Sequence, residues 1–364
     1  MLNQYQKRNK NGKIYHVLKL KSIQGYQFIT STYEDIKDLK FRKISVGLIT
    51  KNISFLDFLK GFYAPTYDMR LLKYEDSLKL KLLHFIKNQH NSPYMQELFS
   101  ALFLATPISK SLRENVSALG LSHLIAISGF HLGILFTLFY FLFNKIYKFF
   151  QVRFFPYRNR KFDLTLIVLA ILFSYLYMLD FIPSILRAFV MLSYGFFLYH
   201  RSVNIFSFEV LFVTVLTILA LFPTYLFSIG FWFSVSGVFY IYLFLHFFKN
   251  LKNWQIFVLL NFWVYLAMII IVHYFFPIFS LHQLYSPIIS MLFSIFYPLE
   301  LFLHIIGFGW VLDDWLERFL LMDIKTFEFK TPLWMLIVYI FISFVPIIIW
   351  YNFKKESNDT KLGS

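Results

Sequence analysis

Residues Gly120-Leu-Ser-His-Leu-Ile-Ala-Ile-Ser-Gly-Phe-His-Leu-Gly-Ile-Leu-Phe-Thr-Leu-Phe-Tyr-Phe-Leu-Phe143 decide how this chain is read. The stretch is long and apolar enough to cross a ~30 Å hydrocarbon core, for which about twenty helical residues suffice. Its first half nevertheless places Gly120, Ser122, His123, Ser128, Gly129, His131 and Gly133 in that apolar setting. Hydrocarbon offers no water to an imidazole or a bent backbone, so such groups persist where they face protein or an aqueous cavity. On one continuous helix Ser128 and His131 are neighbours, and His123 and His131 differ by about 80° around the axis, so the three line one wet face. The structural alternative is a packing motif in which the glycines admit a close helix and the histidines bond nearby carbonyls.

The rest of the chain extends the apolar theme. Of its 364 residues 58% are hydrophobic and 15% charged, and the mean hydropathy is +0.59. That excludes an ordinary soluble domain and predicts a polytopic α-helical membrane protein. Apolar stretches fall at 121–143, 162–180, 181–200, 203–222, 224–247, 254–276, 284–306 and 333–351, giving about seven or eight transmembrane helices. The loop 144–161 carries Lys145, Lys148, Arg153, Arg158, Arg160 and Lys161 with no acid, and Arg201, Lys249 and Lys252 fall on the same side. By the positive-inside rule that side is cytoplasmic, which puts the N-terminal region on the outer face. Loop 307–332 sets Asp313, Asp314, Glu317 and Asp323 against Arg318, Lys325 and Lys330 and leaves the last crossing open. The chain has no cysteine, which excludes disulfides, thiolate metal sites and cysteine nucleophiles.

Residues 1–68 read as a small, basic β domain: Ile14–Leu20, Tyr26–Thr32 and Lys43–Thr50 alternate as short strands. No signal peptide is expected, because no apolar run follows the polar first residues. Residues 1–93 hold 17 Lys+Arg against 7 Asp+Glu, a balance that suits nucleic acid or anionic lipid and equally a solubilising surface. The segment 69–118 reads as an amphipathic helix from Arg70 to His90 followed by a short apolar piece, Tyr94–Ala105, of interfacial or re-entrant type. Residues 119–351 form the transmembrane domain and 352–364 a disordered tail. Most of the 49 phenylalanines sit in apolar runs, where lipid contact and helix packing are the default.

Arg187 falls within the third apolar stretch, where a permanent cation costs about 2.5–3.5 kcal/mol even on the lenient insertion scale. It should therefore face a pore, as a contact for phosphates, or pair with Asp180 or Glu209. Pro223, Gly230, Gly237, Pro277, Pro287 and Pro298 are candidate helix breaks at membrane depth, whose freed backbone groups would line a cavity or be covered by protein. Kinks that only improve packing are the alternative.

The pattern Gly-Leu-Ser-His-Leu-x-Ala-Ile-Ser-Gly-x-His of residues 120–131 resembles the signature of the ComEC competence family, the bacterial inner-membrane channels of DNA uptake. The likeness continues in Leu186-Arg187-Ala188, in Pro223 with Gly230-Phe-Trp-Phe-Ser234, and in His273-Tyr-Phe-Phe-Pro277, Ser286-Pro287 and Pro298. Trp232 and Ser290 depart from it, standing where Gln and Asn are common. The resemblance implies an OB-like N-terminal domain and a competence-type bundle. It also implies a channel, not an enzyme, for single-stranded DNA in natural transformation, with a path along Gly120, Ser122, His123, Ser128, Gly129, His131, Arg187 and Ser234. Relatives carry one or more spans ahead of the β domain, and many carry a C-terminal metallo-β-lactamase-like domain. No apolar span occurs in residues 1–93, so either a span precedes them or the domain crosses by another route; no His-x-His-x-Asp-His cluster occurs, so a short form lacking that C-terminal domain is expected. No Gly-x-x-x-x-Gly-Lys-Ser/Thr loop occurs either. The expected partners are DNA, the bilayer, a cytoplasmic ATPase or helicase, a periplasmic DNA receptor and a separate nuclease. A homo-oligomer is compatible with the sequence, and no cofactor or metal is expected. Two rivals stand beside this reading: an intramembrane serine protease pairing Ser128 with His273, His282 or His304, and a small-solute permease.

Overall fold

The computed structural model describes residues 3–8, 13–22, 27–33, 43–51, 53–72, 77–199 and 207–346; Arg201 and the tail 352–364 lie outside the described residues. The alternating N-terminal pattern becomes β1 (Asn3–Arg8), β2 (Ile14–Lys21), β3 (Gln27–Thr32) and β4 (Ile44–Leu48), then α1 (Phe55–Lys60), β5 (Phe62–Tyr63) and β6 (Thr66–Leu71). One sheet runs β1-β2-β3-β5, and β4 pairs with β6 in a second. Antiparallel pairing sets Leu18 opposite Thr30 and Leu20 opposite Phe28. Leu18, Leu20 and Phe28 are buried, and Ile44, Val46, Leu48, Phe62 and Met69 close over them, so the two sheets share one small core. Arg70 and Leu71, expected to open a helix, instead finish β6 opposite Ser45 and Ile44.

The amphipathic helix is α2 (Leu78–Lys87), capped by the Ser77 hydroxyl and burying Leu80, Leu83 and Ile86 while Lys81 and Lys87 face outward. α3 (Pro93–Leu104) is apolar because protein encloses it: Met95 and Phe99 are fully buried. It ends at Ala105, in the left-handed region, ahead of Pro107. α4 (Lys110–Ala118) and the short α5 (Ser122–Ile125) lead into the bundle. α2, α3, α4, Phe293, Tyr297, Leu316 and Leu320 contribute to one continuous core.

The predicted spans appear in order as α6 (Gly129–Phe154), α7 (Arg160–Met178), α8 (Pro183–Tyr199), α9 (Phe208–Leu221), α10 (Ile229–Phe247), α11 (Asn253–Phe275) and α12 (Ser286–Ile305), with a shorter apolar helix at Leu333–Pro346, here α14. Among the described residues five helical stretches are long and apolar enough to cross a membrane: α6, α7, α10, α11 and residues Leu281–Ile305. α8, α9 and α14 are shorter apolar helices. α6 begins later than its apolar stretch and runs beyond it, so Lys145, Lys148 and Arg153 ride its last turns, where long basic side chains can reach water.

Contacts between successive helices make α6 to α11 an up-and-down array, with α8 also against α6 and α10. Leu172, Leu176, Ile185, Ile218 and Phe231 lie at its centre. At one end Arg158 grips Asp163 through Nε (2.7 Å) and a terminal nitrogen (2.8 Å). At the other, α1 meets the 3-10 turn Pro223–Phe227, Lys60 Nζ lies 5.5 Å from the Phe227 ring centre, and Lys79 lies 3.5 Å from Asp180. The β region therefore sits at the end opposite the basic loop.

The chain between α11 and α14 makes an excursion from that same end. β7 (Ile278–Phe279) pairs with β8 (Phe327–Glu328), and Thr331 N donates to His273 O. α12 and α13 (Asp313–Leu320) thus leave the end of α11 and return to it, with no net crossing between them. Residues 307–332 thus carry the chain back to the end at which α12 begins, and Leu281–Ile305 remains among the stretches long and apolar enough to cross.

Candidate functional site

The helix expected across residues 121–143 is broken at its polar half. α4 ends at Ala118, and Gly120 turns the chain at φ 72°, a conformation that favours glycine. Contact with the α11–α12 connection holds the turn. Ser280 Oγ donates to Ala118 O (2.5 Å), Gln283 Nε2 to Ser117 O (2.9 Å) and Ser286 Oγ to Gly120 O (3.0 Å). After α5, Ala126 is extended and α6 starts at Gly129, with Ser128 as its cap. His123 and His131 therefore do not share a helix, which corrects the single wet face. His123 bonds Ser290 Oγ at 3.0 Å, and Ser122 Oγ bonds Ser117 Oγ at 3.0 Å, on an exposed edge.

Ser128 and His131 do meet, as a cap. The His131 N–H is received by the Ser128 hydroxyl oxygen, while His131 Nδ1 accepts the Ser128 N–H (3.1 Å) and faces the hydroxyl at 3.0 Å. Nδ1 is thereby an acceptor, and the proton of the neutral ring sits on Nε2, which is buried without a hydrogen-bond partner. The ring stands edge-on to Tyr297, 4.5 Å between centres, and to Phe293. Among the described residues Ser128 bonds His131 and makes no hydrogen bond to His273, His282 or His304; His273 Nδ1 bonds Ile269 O, and His304 bonds Glu300 O and His90.

Arg187 lies in the second turn of α8, near the bundle end that carries the β region, and is 6% exposed. Its Nε donates to Ser234 Oγ on α10 (2.7 Å) and a terminal nitrogen contacts Met191 Sδ (3.0 Å); neither is a carboxylate. Asp180, one proposed partner, pairs with Lys79 instead. The other terminal nitrogen faces the start of α6: a Cβ at Gly129 would stand 3.2 Å from it and 3.1 Å from the Ala188 Cβ. Ser184 Oγ donates to Ile127 O (2.6 Å), fixing α8 against the break. The arrangement sets a buried guanidinium beside the positive end of a 26-residue helix, two groups that both favour an anion.

Of the sequence-predicted residues the fold thus brings together Ser128, Gly129, His131, Arg187 and Ser234, and holds Gly120, Ser122 and His123 on the adjoining turn. The expected breaks lie mostly at helix ends. Pro223 opens a 3-10 turn, Pro277 follows α11 and Pro287 starts α12, whereas Gly230 and Gly237 lie within unbroken α10. Of the four prolines Pro298 alone lies beyond the first turn of a helix. Trp232 Nε1 donates to Leu226 O, so it still makes a polar contact. No group of residues able to hold a metal occurs among the described residues. The sequence reading misses a second buried polar set, His90, Glu300, His304 and Asp313. Its one signal is Glu300 and His304 spaced four apart in apolar α12.

With the geometry in hand, comparison with known proteins gives one finding. A family model described as Competence protein matches residues 105–353. No curated protein and no solved structure matches the chain.

Proposed function

The chain belongs to the competence-protein family, and on that premise we propose that it forms a membrane conduit through which DNA enters the cell as a single strand during natural transformation. Family membership and the membrane helices imply a role in DNA uptake. The observation that supports a path for phosphates is Arg187, buried beside the first turn of α6 with no carboxylate partner among the described residues. A guanidinium presents a fork of donors matched to phosphate oxygens, and the α6 terminus adds unpaired N–H groups. A single such station binds each phosphate weakly enough to release it to the next, as conduction requires.

In this reading the membrane is the bacterial inner membrane, with the Arg158 end cytoplasmic and the basic β region outside. That region concentrates DNA through a charge-driven, strongly salt-sensitive attraction. The chain works as a passive conduit without a cofactor. A cytoplasmic ATPase or helicase supplies the pull, and a periplasmic DNA receptor and a separate nuclease prepare the strand.

The test is uptake of labelled DNA into the cytoplasm by cells carrying Arg187→Ala, Arg187→Lys or Ser234→Ala, with membrane levels of each variant measured alongside. Arg187→Ala should abolish uptake, and Arg187→Lys, which keeps the charge without the fork, should retain part of it. Full uptake by a stably inserted Arg187→Ala removes the path from this site. Labelling of Ser128 by a fluorophosphonate, with uptake lost in Ser128→Ala, would favour the protease instead.

A further inference from the structure

His90, His304, Glu300 and Asp313 stand apart from the Arg187 corner and have no place in the conduit argument. They come from three parts of the chain: the turn after α2, the last turns of α12, and the start of α13. His90 Nδ1 lies 2.9 Å from both Asp313 carboxylate oxygens, and His90 Nε2 lies 3.0 Å from His304 Nε2. His304 Nδ1 bonds Glu300 O at 2.7 Å, with the carboxylate oxygen Oε2 at 3.4 Å. Glu300 is fully buried and, among the described residues, neither of its carboxylate oxygens has a hydrogen-bond partner. Gln89 closes the site, donating to His304 O (3.1 Å) and accepting from Gly309 N (3.0 Å).

Donor and acceptor arithmetic fixes the protons. A carbonyl only accepts, so His304 Nδ1 carries hydrogen and, in the neutral ring, Nε2 is a lone pair. His90 Nε2 must then donate to it, which leaves His90 Nδ1 as a lone pair aimed at a carboxylate. Two acceptors do not bond, so one additional proton belongs between Asp313 and His90. Burial pushes the Asp313 carboxyl up to about 6, against the opposing pull of His304 and with help from Glu317 and Asp314. Burial, reinforced by His304 and opposed by Glu300, holds His90 down to about 4. Both shifts, caused first by burial, favour a neutral carboxyl-to-imidazole hydrogen bond over an ion pair.

We propose that Asp313, His90, His304 and Glu300 form a proton relay that loads a proton from the aqueous face onto the buried Glu300. The step balances. A proton taken up at Asp313, which keeps a small exposed edge, passes to His90 Nδ1. The hydrogen on His90 Nε2 moves to His304 Nε2, and the hydrogen on His304 Nδ1, held by Glu300 O in this structure, passes to Glu300 Oε2 (3.4 Å away) as the carboxylate turns onto Nδ1, where the new carboxyl O–H then donates. Both imidazoles end neutral in the other tautomer, and the carboxylate without partners gains its proton.

The neighbours are compatible with one mobile proton. α3 presents the rings of Phe99, stacked on His90 at 4.6 Å, and Phe103, edge-on to His304 at 4.9 Å. Its Glu97 is engaged by Ser109 N. α13 presents Glu317, bound by the Ser92 hydroxyl at 2.7 Å, and the more exposed Asp314. Tyr297, one turn before Glu300 on α12, packs on Phe103 and on His131 of α6, and Tyr175 of α7 bonds Phe103 O. The site is therefore one residue layer from the capped break without sharing a group with Arg187.

The relay is tested on the full chain in nanodiscs by infrared difference spectroscopy, stepping from about pH 8 to about pH 4. A carboxylic-acid carbonyl band should appear, shift in D2O, and vanish in Glu300→Gln, whose amide stands for the protonated acid. In Asp313→Asn and His90→Gln the Glu300 band should lose its rapid exchange with D2O, while thermal unfolding of each variant shows that the fold is kept. Loss of the band in both Glu300→Gln and Glu97→Gln, or unchanged exchange in His90→Gln, overturns the relay. So does stoichiometric binding of Zn2+ or Na+ that removes the band, since the site would then be a cation site. DNA uptake is not part of this readout, so failure here leaves the Arg187 reading untouched.

Discussion

At the scale of single residues, two glycines of the 120–133 stretch differ in what they do. Gly120 has φ 72°, and a Cβ there would stand 3.2 to 3.3 Å from Gln283, whereas a Cβ at Gly133 meets nothing within 4 Å. Gly120→Ala should destabilise the protein by about 1–2 kcal/mol. Gly133→Ala, inside α6, should be neutral or stabilise by about 0.5–1 kcal/mol. Thermal unfolding in nanodiscs separates the two, and equal effects would count against this backbone. The Asp313 and His90 pair gives a pH dependence with a defined sign. Asp313 is raised, so its contribution is present below about pH 4 and is lost as pH rises through about 6; His90 is lowered, so its contribution is present above about pH 6.5 and is lost as pH falls through about 4. Asp313→Asn mimics the protonated carboxyl and keeps the first contribution at every pH. Its melting temperature relative to the natural chain should therefore climb between about pH 4 and pH 7; a flat difference would mean that Asp313 carries no such proton.

At the scale of elements, hydrophobic periodicity predicted the helices well and their surroundings poorly. In α2 the expected apolar side is buried at Leu83 and Ile86, joined by Leu80, whereas Leu78 is exposed, so Leu83→Ala should cost about 2–5 kcal/mol and Lys81→Ala, on the outer side, less than about 0.5 kcal/mol. Denaturant or thermal unfolding of the two variants checks this, and similar losses would mean the buried face is misplaced. α3 looks the same in sequence as a piece of membrane-surface helix, yet it is apolar because Met95, Leu98, Phe99, Leu102 and Phe103 fill a protein core. Lipid and protein interior select the same side chains, so composition alone does not separate them. The break at Ala126 is another case: no proline marks it, and it exists because Ser184 takes Ile127 O and α8 packs on Gly129.

At the scale of the whole molecule, the basic loop and the β region lie at opposite ends of an up-and-down bundle. The natural chain lacks cysteine, so single cysteines report sidedness without background. Tyr157→Cys and Tyr67→Cys, both highly exposed sites, should react with a membrane-impermeant maleimide from opposite faces, and Trp310→Cys from the same face as Tyr67→Cys. Labelling of all three from one face would undo this arrangement. The order of apolar helices, the three central β strands, the membrane class and the competence family were legible in sequence, because they depend on local periodicity and on contiguous motifs. The neighbours of Arg187 were not, since Ser234 lies 47 positions away and its contact depends on how α8 packs against α10. The same holds for His90, which meets His304 and Asp313 more than 200 positions along the chain. Sequence alone therefore determined which segments leave water, as a sum of transfer preferences along short windows. Tertiary packing decided which polar groups share the interior, because partners for buried charges and histidines are assigned only when distant helices close on one another.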